Sequence, residues 1–189
     1  MLIQNNEDIC IRKRVRIIKN FLDSTDGKYW SVGSSPINDF ANKNAYPKDY
    51  QIFMEMIGHL DIDSAVDPRQ IGHAILNVSP PMSIKEIYED HNSNLSFITI
   101  NYSPDNWKLV DSSRHGCTLS QLHFVAIEPC AALQTFAYDL TSKPYKFVSD
   151  EMEYGLGENC TFLEWLNGAL LRWGQLSEVS SDELTVLRE

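Results

Sequence analysis

The chain has 189 residues, 43% of them hydrophobic and 22% charged, with a formal net charge of −10. That length suits one domain that buries about 70% of its extended surface and so needs no covalent staples. Eight Phe, eight Tyr and four Trp exclude a disordered acidic chain, and no apolar run approaches the roughly 20 residues of a membrane span. The first residues, from Met1 to Cys10, have no basic start followed by an apolar stretch, so no secretory signal is expected and a cytoplasmic location is predicted.

The charge is unevenly spread. Residues 1–22 hold five basic groups (Arg12, Lys13, Arg14, Arg16, Lys19) against two acidic ones, whereas residues 150–189 hold nine acidic against two basic. An acidic body repels nucleic acid, whose binding depends on lysine and arginine neutralising phosphates. It either keeps the protein soluble or suits a basic partner.

In chain order, the first predicted helix runs from about Asp8 to Leu22, with Ile11, Val15, Ile18 and Leu22 on one stripe. A polar loop from Asp23 to Asn44 follows, carrying Tyr29, Trp30 and Phe40. The second helix starts with Pro47 as its first residue, presents Tyr50, Phe53, Met54 and Ile57 on one face, and is capped by Gly58. Asp61, Asp63 and Asp67 then read as an acidic turn. Their spacing fails the calcium-loop test, because the sixth and twelfth positions from Asp61 are Val66 and Gly72.

From Ile71 the period becomes that of strands. Ile71–Val78 is the first, ended by Ser79-Pro80-Pro81, and Ser83–Asp90 is a short helix. Leu95–Tyr102 and a strand resuming at Trp107 make a predicted hairpin around Ser103–Asn106. Gln121–Glu128, Gln134–Leu140 and Tyr145–Val148 are three further strands. The last helix starts at a Thr161/Glu164 capping box, buries Phe162, Leu166, Ala169, Leu170 and Trp173, and ends at Gly174. Residues 175–189 read as a frayed acidic tail, with a docked short helix as the alternative. The expected fold is α+β: one domain over 1–174 plus the tail. A mostly antiparallel sheet of about five to six strands is flanked by N-terminal helices and a C-terminal helix.

The chemistry-bearing residues form no short motif. Cys10, Cys117, Cys130 and Cys160 include no C-x-x-C pair, the five histidines include no H-x-x-x-H pair, and no phosphate-binding glycine loop occurs. No metal or cofactor is therefore expected. The best enzyme reading rests on Arg114-His115-Gly116-Cys117, with His123 nearby and Cys130 beyond: a cysteine near a histidine as a thiolate nucleophile, or Cys117, His123 and Cys130 as metal ligands.

Several stretches together resemble the SUKH superfamily, which contains bacterial immunity proteins and a fungal regulator of cell-wall synthesis. The helix Ala-Tyr-Pro-Lys-Asp-Tyr-Gln-Ile-Phe-Met-Glu-Met-Ile-Gly ending at Gly58 is similar to that group's proline-acid-tyrosine-phenylalanine helix. Residues 122–128, 136–140 and 143–148 resemble its successive strands, and residues 162–171 its closing helix. The chain departs from the pattern where His59 follows Gly58 and where Pro129-Cys-Ala-Ala-Leu133 replaces a glycine-rich turn. The resemblance implies a non-catalytic protein that binds and occludes a cognate toxin domain, often a basic nuclease, or else a regulatory module without a toxin partner. Asp61, Asp63 and Asp67 are then the candidate steering charges and Trp30 the candidate aromatic anchor, with core packing as the other role open to Trp30.

Overall fold

The computed structural model describes residues 2–64, 74–90, 104–108, 117–129, 133–149 and 160–188. Helix α1 (Leu2–Thr25) extends beyond the predicted stripe at both ends. At its C-terminus Thr25 Oγ1 donates to the carbonyls of Phe21 and Leu22, closing the last turn. Val15, Ile18, Phe21 and Leu22 bury against the core, as their spacing predicts.

Helix α2 (Lys48–Met56) begins one residue later than expected, with Pro47 as its extended N-cap. Its buried set is wider than one face, from Tyr50 through Met54, because α1 packs on one side and α4 on the other. The Ile57 and Gly58 amides both donate to the Phe53 carbonyl, and Gly58 has φ +76°, the left-handed cap expected there.

A predicted loop and a predicted turn each contain a strand. Trp30–Ser35 is β1, inside the predicted loop, and His59–Ser64 is β2, which takes in Asp61 and Asp63. Each strand exposes small or acidic residues on one face, so neither has the β-branched run that marks a strand in sequence. Strand β3 (Ala74–Ser83) also runs through the prolines that were expected to end it. Prolines cannot donate to a ladder, and the register between β3 and its neighbour slips between Val78 and Met82 to accommodate them.

Helix α3 (Ile84–Glu89) starts from a Ser83/Glu86 capping box. Strands β4 (Leu122–Pro129), β5 (Leu133–Asp139) and β6 (Lys146–Ser149) lie within a residue or two of their predicted positions. All six described strands form one antiparallel sheet in the order β1-β2-β3-β4-β5-β6. The fold is α+β as expected. The predicted strand Leu95–Tyr102 lies outside the described residues. Trp107 is in a turn, its amide donating to the Pro104 carbonyl, rather than opening a strand.

Helix α4 (Phe162–Leu176) has the predicted Thr161/Glu164 box and runs past Gly174. The next segment is docked, not frayed. Helix α5 (Ser181–Thr185) folds back, and Val179, Leu184 and Leu187 join the main core. Gly174 permits this approach, since a Cβ there would lie 2.5 Å from Leu184 Cδ2. Polar bonds fasten the segment as well. Glu183 accepts from Lys28 Nζ at 2.7 Å and from the Tyr29 hydroxyl at 2.8 Å, and Asn167 donates to the Leu187 carbonyl at 2.8 Å.

These bonds are expected to make the docking of α5 acid-sensitive. The Lys28 ammonium, then the Ser180 and Tyr29 hydroxyls, hold the Glu183 carboxyl down from 4.5 to about 2. A carboxyl depressed in the folded state stabilises above its unfolded pKa and loses that contribution as pH falls. The protection factors of residues 181–185 against hydrogen exchange, corrected for the intrinsic rate at each pH, are expected to fall as pH drops from about 4.5 towards 2, before those of the core do. Glu183→Gln should remove that pH dependence. An unchanged profile in the variant would show that another group governs docking.

The helices α1, α2, α4 and α5 cover one face of the sheet, where the aromatic core gathers Tyr50, Phe53, Tyr138, Phe147, Phe162 and Trp165. A second cluster under β4–β6 on the other face contains Ile84, Ile87, Leu119, Leu122 and Phe124. Among the described residues no helix is long and apolar enough to cross a membrane.

Candidate functional site

The alternation of β2 decides what the acids do. Leu60 and Ile62 point into the helix-covered core, so His59, Asp61 and Asp63 occupy the opposite face. Across the ladder they stand opposite Ser35, Gly33 and Ser31 of β1, and Asp61 stands opposite Asn77 of β3. The result is a polar half-face at the β1 end of the sheet.

A chain of hydrogen bonds organises it. His59 Nε2 lies 2.6 Å from Asp61 Oδ2, Asn77 Nδ2 donates to Asp61 Oδ1, and Ser79 Oγ donates to Asn77 Oδ1 at 2.8 Å. The Tyr50 hydroxyl donates to the Ser79 carbonyl at 2.8 Å, tying this network to α2. Burial grades across the face. Asn77 is 2% exposed, the side chains of His59 and Asp61 are each 31% exposed, and Asp63, Ser31, Gly33 and Ser35 are exposed. The bond to Asp61 raises the His59 pKa, with burial opposing it, so the imidazolium and carboxylate support each other.

The sequence placed Asp61, Asp63, Asp67 and Trp30 at a partner surface. Asp61 and Asp63 share the exposed side of this half-face, and Asp67 lies outside the described residues. Trp30 is a correction. It is 0% exposed, its indole N–H donates to Thr25 Oγ1 at 2.8 Å, and its ring meets Phe21 edge-on at 6.0 Å. The even positions of β1 face the helices, so Trp30 packs inward while Ser31 faces out. His59 and Asn77 were missed by sequence reasoning. The sequence signal for His59 was the alternation His-Leu-Asp-Ile-Asp, too short to separate a strand from a turn, and that for Asn77 was its place between Leu76 and Val78 in the predicted strand.

The residues of the enzyme reading are divided between environments. Cys117 is buried in the second cluster, and burial followed by the neighbouring Asp139 pushes its thiol up to about 11, away from a reactive thiolate. His123 faces the other side of β4, with Nδ1 2.5 Å from the Tyr46 hydroxyl, and burial lowers its pKa. Cys130 lies outside the described residues. Among the described residues no group of three His, Cys, Asp or Glu side chains is placed to hold a metal ion.

The polar half-face can therefore present the exposed Asp63 carboxylate and hydrogen-bonding groups to a partner, with the Asp61 carboxylate already engaged by His59 and Asn77. No protein-family model, curated protein or solved structure matches the chain.

Proposed function

We propose that this chain is a non-catalytic binding protein of the immunity type, which neutralises a basic toxin domain by covering its working surface. The observation that carries the reading is the separation of scaffold from surface. The aromatic residues behind the SUKH resemblance are spent on packing: Tyr50 meets Tyr138 at 5.1 Å and Phe162 at 5.0 Å, and Phe147 meets Phe162 at 5.7 Å. The acids Asp61 and Asp63 stand on the opposite, exposed side of β2. On a chain of net charge −10, such acids speed encounter with a basic protein and orient it. The protein works in the cytoplasm on this reading, with Cys10, Cys117 and Cys160 as free thiols.

Co-expression with a basic toxin domain found encoded next to its gene tests the proposal, and a neighbourhood with no such domain counts against it. Growth should be rescued by the native chain. The Asp61→Asn/Asp63→Asn double variant should bind the toxin at least about tenfold more weakly, mainly through slower association. An unchanged thermal melt would show that the fold is intact. Rescue and affinity that survive the double substitution would overturn the charge mechanism.

A further inference from the structure

Among the described strands β1 lies at the edge of the sheet, and its residues Ser31, Gly33, Ser34 and Ser35 are exposed. None is charged and none is proline, so the part of the strand that the turn at Asp26 and Gly27 leaves uncovered carries no guard of its own against pairing with another chain. The directions of its hydrogen bonds identify the groups on offer. The Val32 amide turns away from β2 and donates to Asp26 Oδ1 at 2.8 Å, and the Trp30 carbonyl turns the same way to accept from the Gly27 amide at 2.8 Å. Inward and outward pairs alternate along an antiparallel strand. The outward set is thus Trp30, Val32 and Ser34. The Val32 carbonyl and both backbone groups of Ser34 have no hydrogen-bond partner among the described residues.

Gly33 supplies the second observation. It is not among the glycines with positive φ, and a Cβ built on it would meet only Asp61 Cβ, at an ordinary 3.8 Å. Neither backbone conformation nor crowding calls for glycine. Its missing side chain instead leaves a lane over β1 from the open edge to Asp61, its cross-strand neighbour. A strand added to β1 would lie two ladder spacings, roughly 10 Å, from β2. An extended lysine or arginine on that strand, crossing Gly33, meets the aspartate side chains reaching outward from β2.

We propose that β1 takes up an extended basic segment of a protein partner as an added strand, with a lysine or arginine lying over Gly33 onto Asp61 and Asp63. The backbone of Ser34 supplies the pairing, and Asp63, with Asp26 at the end of the strand, selects the sign of the segment, the Asp61 charge being shared with His59. A second copy of this chain is the poorer occupant, because it would bring two sets of these acids together. The inference rests on the reading of the chain as a binder of basic proteins, and it names the means of binding.

The probe is a blocked eight-residue peptide of alternating lysine and valine, titrated into the full chain. Affinity and the backbone amide NMR shifts of residues 31–35 are the readouts. The lysine peptide is expected to bind and to move those amides, and its glutamate counterpart to fail. Methylating alternate peptide amides should cost at least about tenfold for the methylated set that faces β1, and little for the other set. Gly33→Leu, with an unchanged circular dichroism spectrum, should cost a similar factor by filling the lane. No binding at millimolar peptide, or binding indifferent to both N-methylation patterns, would overturn strand addition. In that second case, loss of binding in Asp61→Asn/Asp63→Asn would leave the acidic-surface reading standing, and unchanged binding would count against both. Self-association that Ser34→Pro abolishes would assign the edge to a second copy and overturn the proposal.

Discussion

Replacing Gly58 with alanine is expected to lower the midpoint of thermal unfolding by about 6–12 °C, equivalent to about 3 kcal/mol for a domain of this size. Two costs combine. The residue sits at φ +76°, where a Cβ is strained, and that Cβ would lie 1.9 Å from the Ser35 carbonyl oxygen and 2.6 Å from Pro36 Cα. Both are backbone atoms, so relief requires moving the end of β1 away from the turn that links α2 to β2. Gly27→Ala is the control, since φ there is +69° but nothing lies within 4 Å. It should cost only about 1–2 kcal/mol of left-handed strain. Equal losses in the two variants, measured by scanning calorimetry, would show that the contact with Ser35 is relieved cheaply.

Trp30→Ala should cost about 3–5 kcal/mol, as expected for a large aromatic side chain removed from a packed core. The ring is wholly buried, packs on Phe21, and satisfies Thr25 at the end of α1, so its loss loosens the join between α1 and β1. Trp30→Phe keeps most of the packing but removes the indole N–H, leaving Thr25 Oγ1 without that donor. About 1–3 kcal/mol is expected for it. Denaturant titration separates the two variants. A Trp30→Ala variant that kept its stability but lost partner binding would return this residue to the interface.

How far each element was legible follows from how much of its pattern is local. Helix α4 was readable almost to the residue, because a Thr161/Glu164 capping box and an apolar stripe at helical spacing are complete within one segment. Strands β4, β5 and β6 were readable for a related reason, having runs of β-branched and aromatic residues bounded by turn chemistry. Strands β1 and β2 carry Ser, Gly and Asp on one face. Such residues become strand residues only when a neighbour supplies the ladder, so composition pointed to loop and turn. The prolines of β3 misled in the same way, since a bulge in the pairing absorbs missing donors that sequence reads as a break.

The candidate site divides along the same line. Asp61 and Asp63 were legible as acids, but their common face with His59 and Asn77 depends on β2 lying between β1 and β3. Trp30 was legible as an aromatic with two possible roles, and the parity of β1 chose the core. The tail was legible as acidic, yet Leu184 and Leu187 dock because α4 leaves a space at Gly174 that no local pattern describes.

The sequence by itself determined the α+β class, the closing helix, the Gly58 turn and the uneven charge, all of them properties of composition or of short-range spacing. The tertiary structure alone decided which acids share a surface, which aromatic is buried and which of the described strands lies at the edge of the sheet. Those outcomes depend on pairing between segments distant in the chain, whose partners are specified only when the whole sheet is assembled.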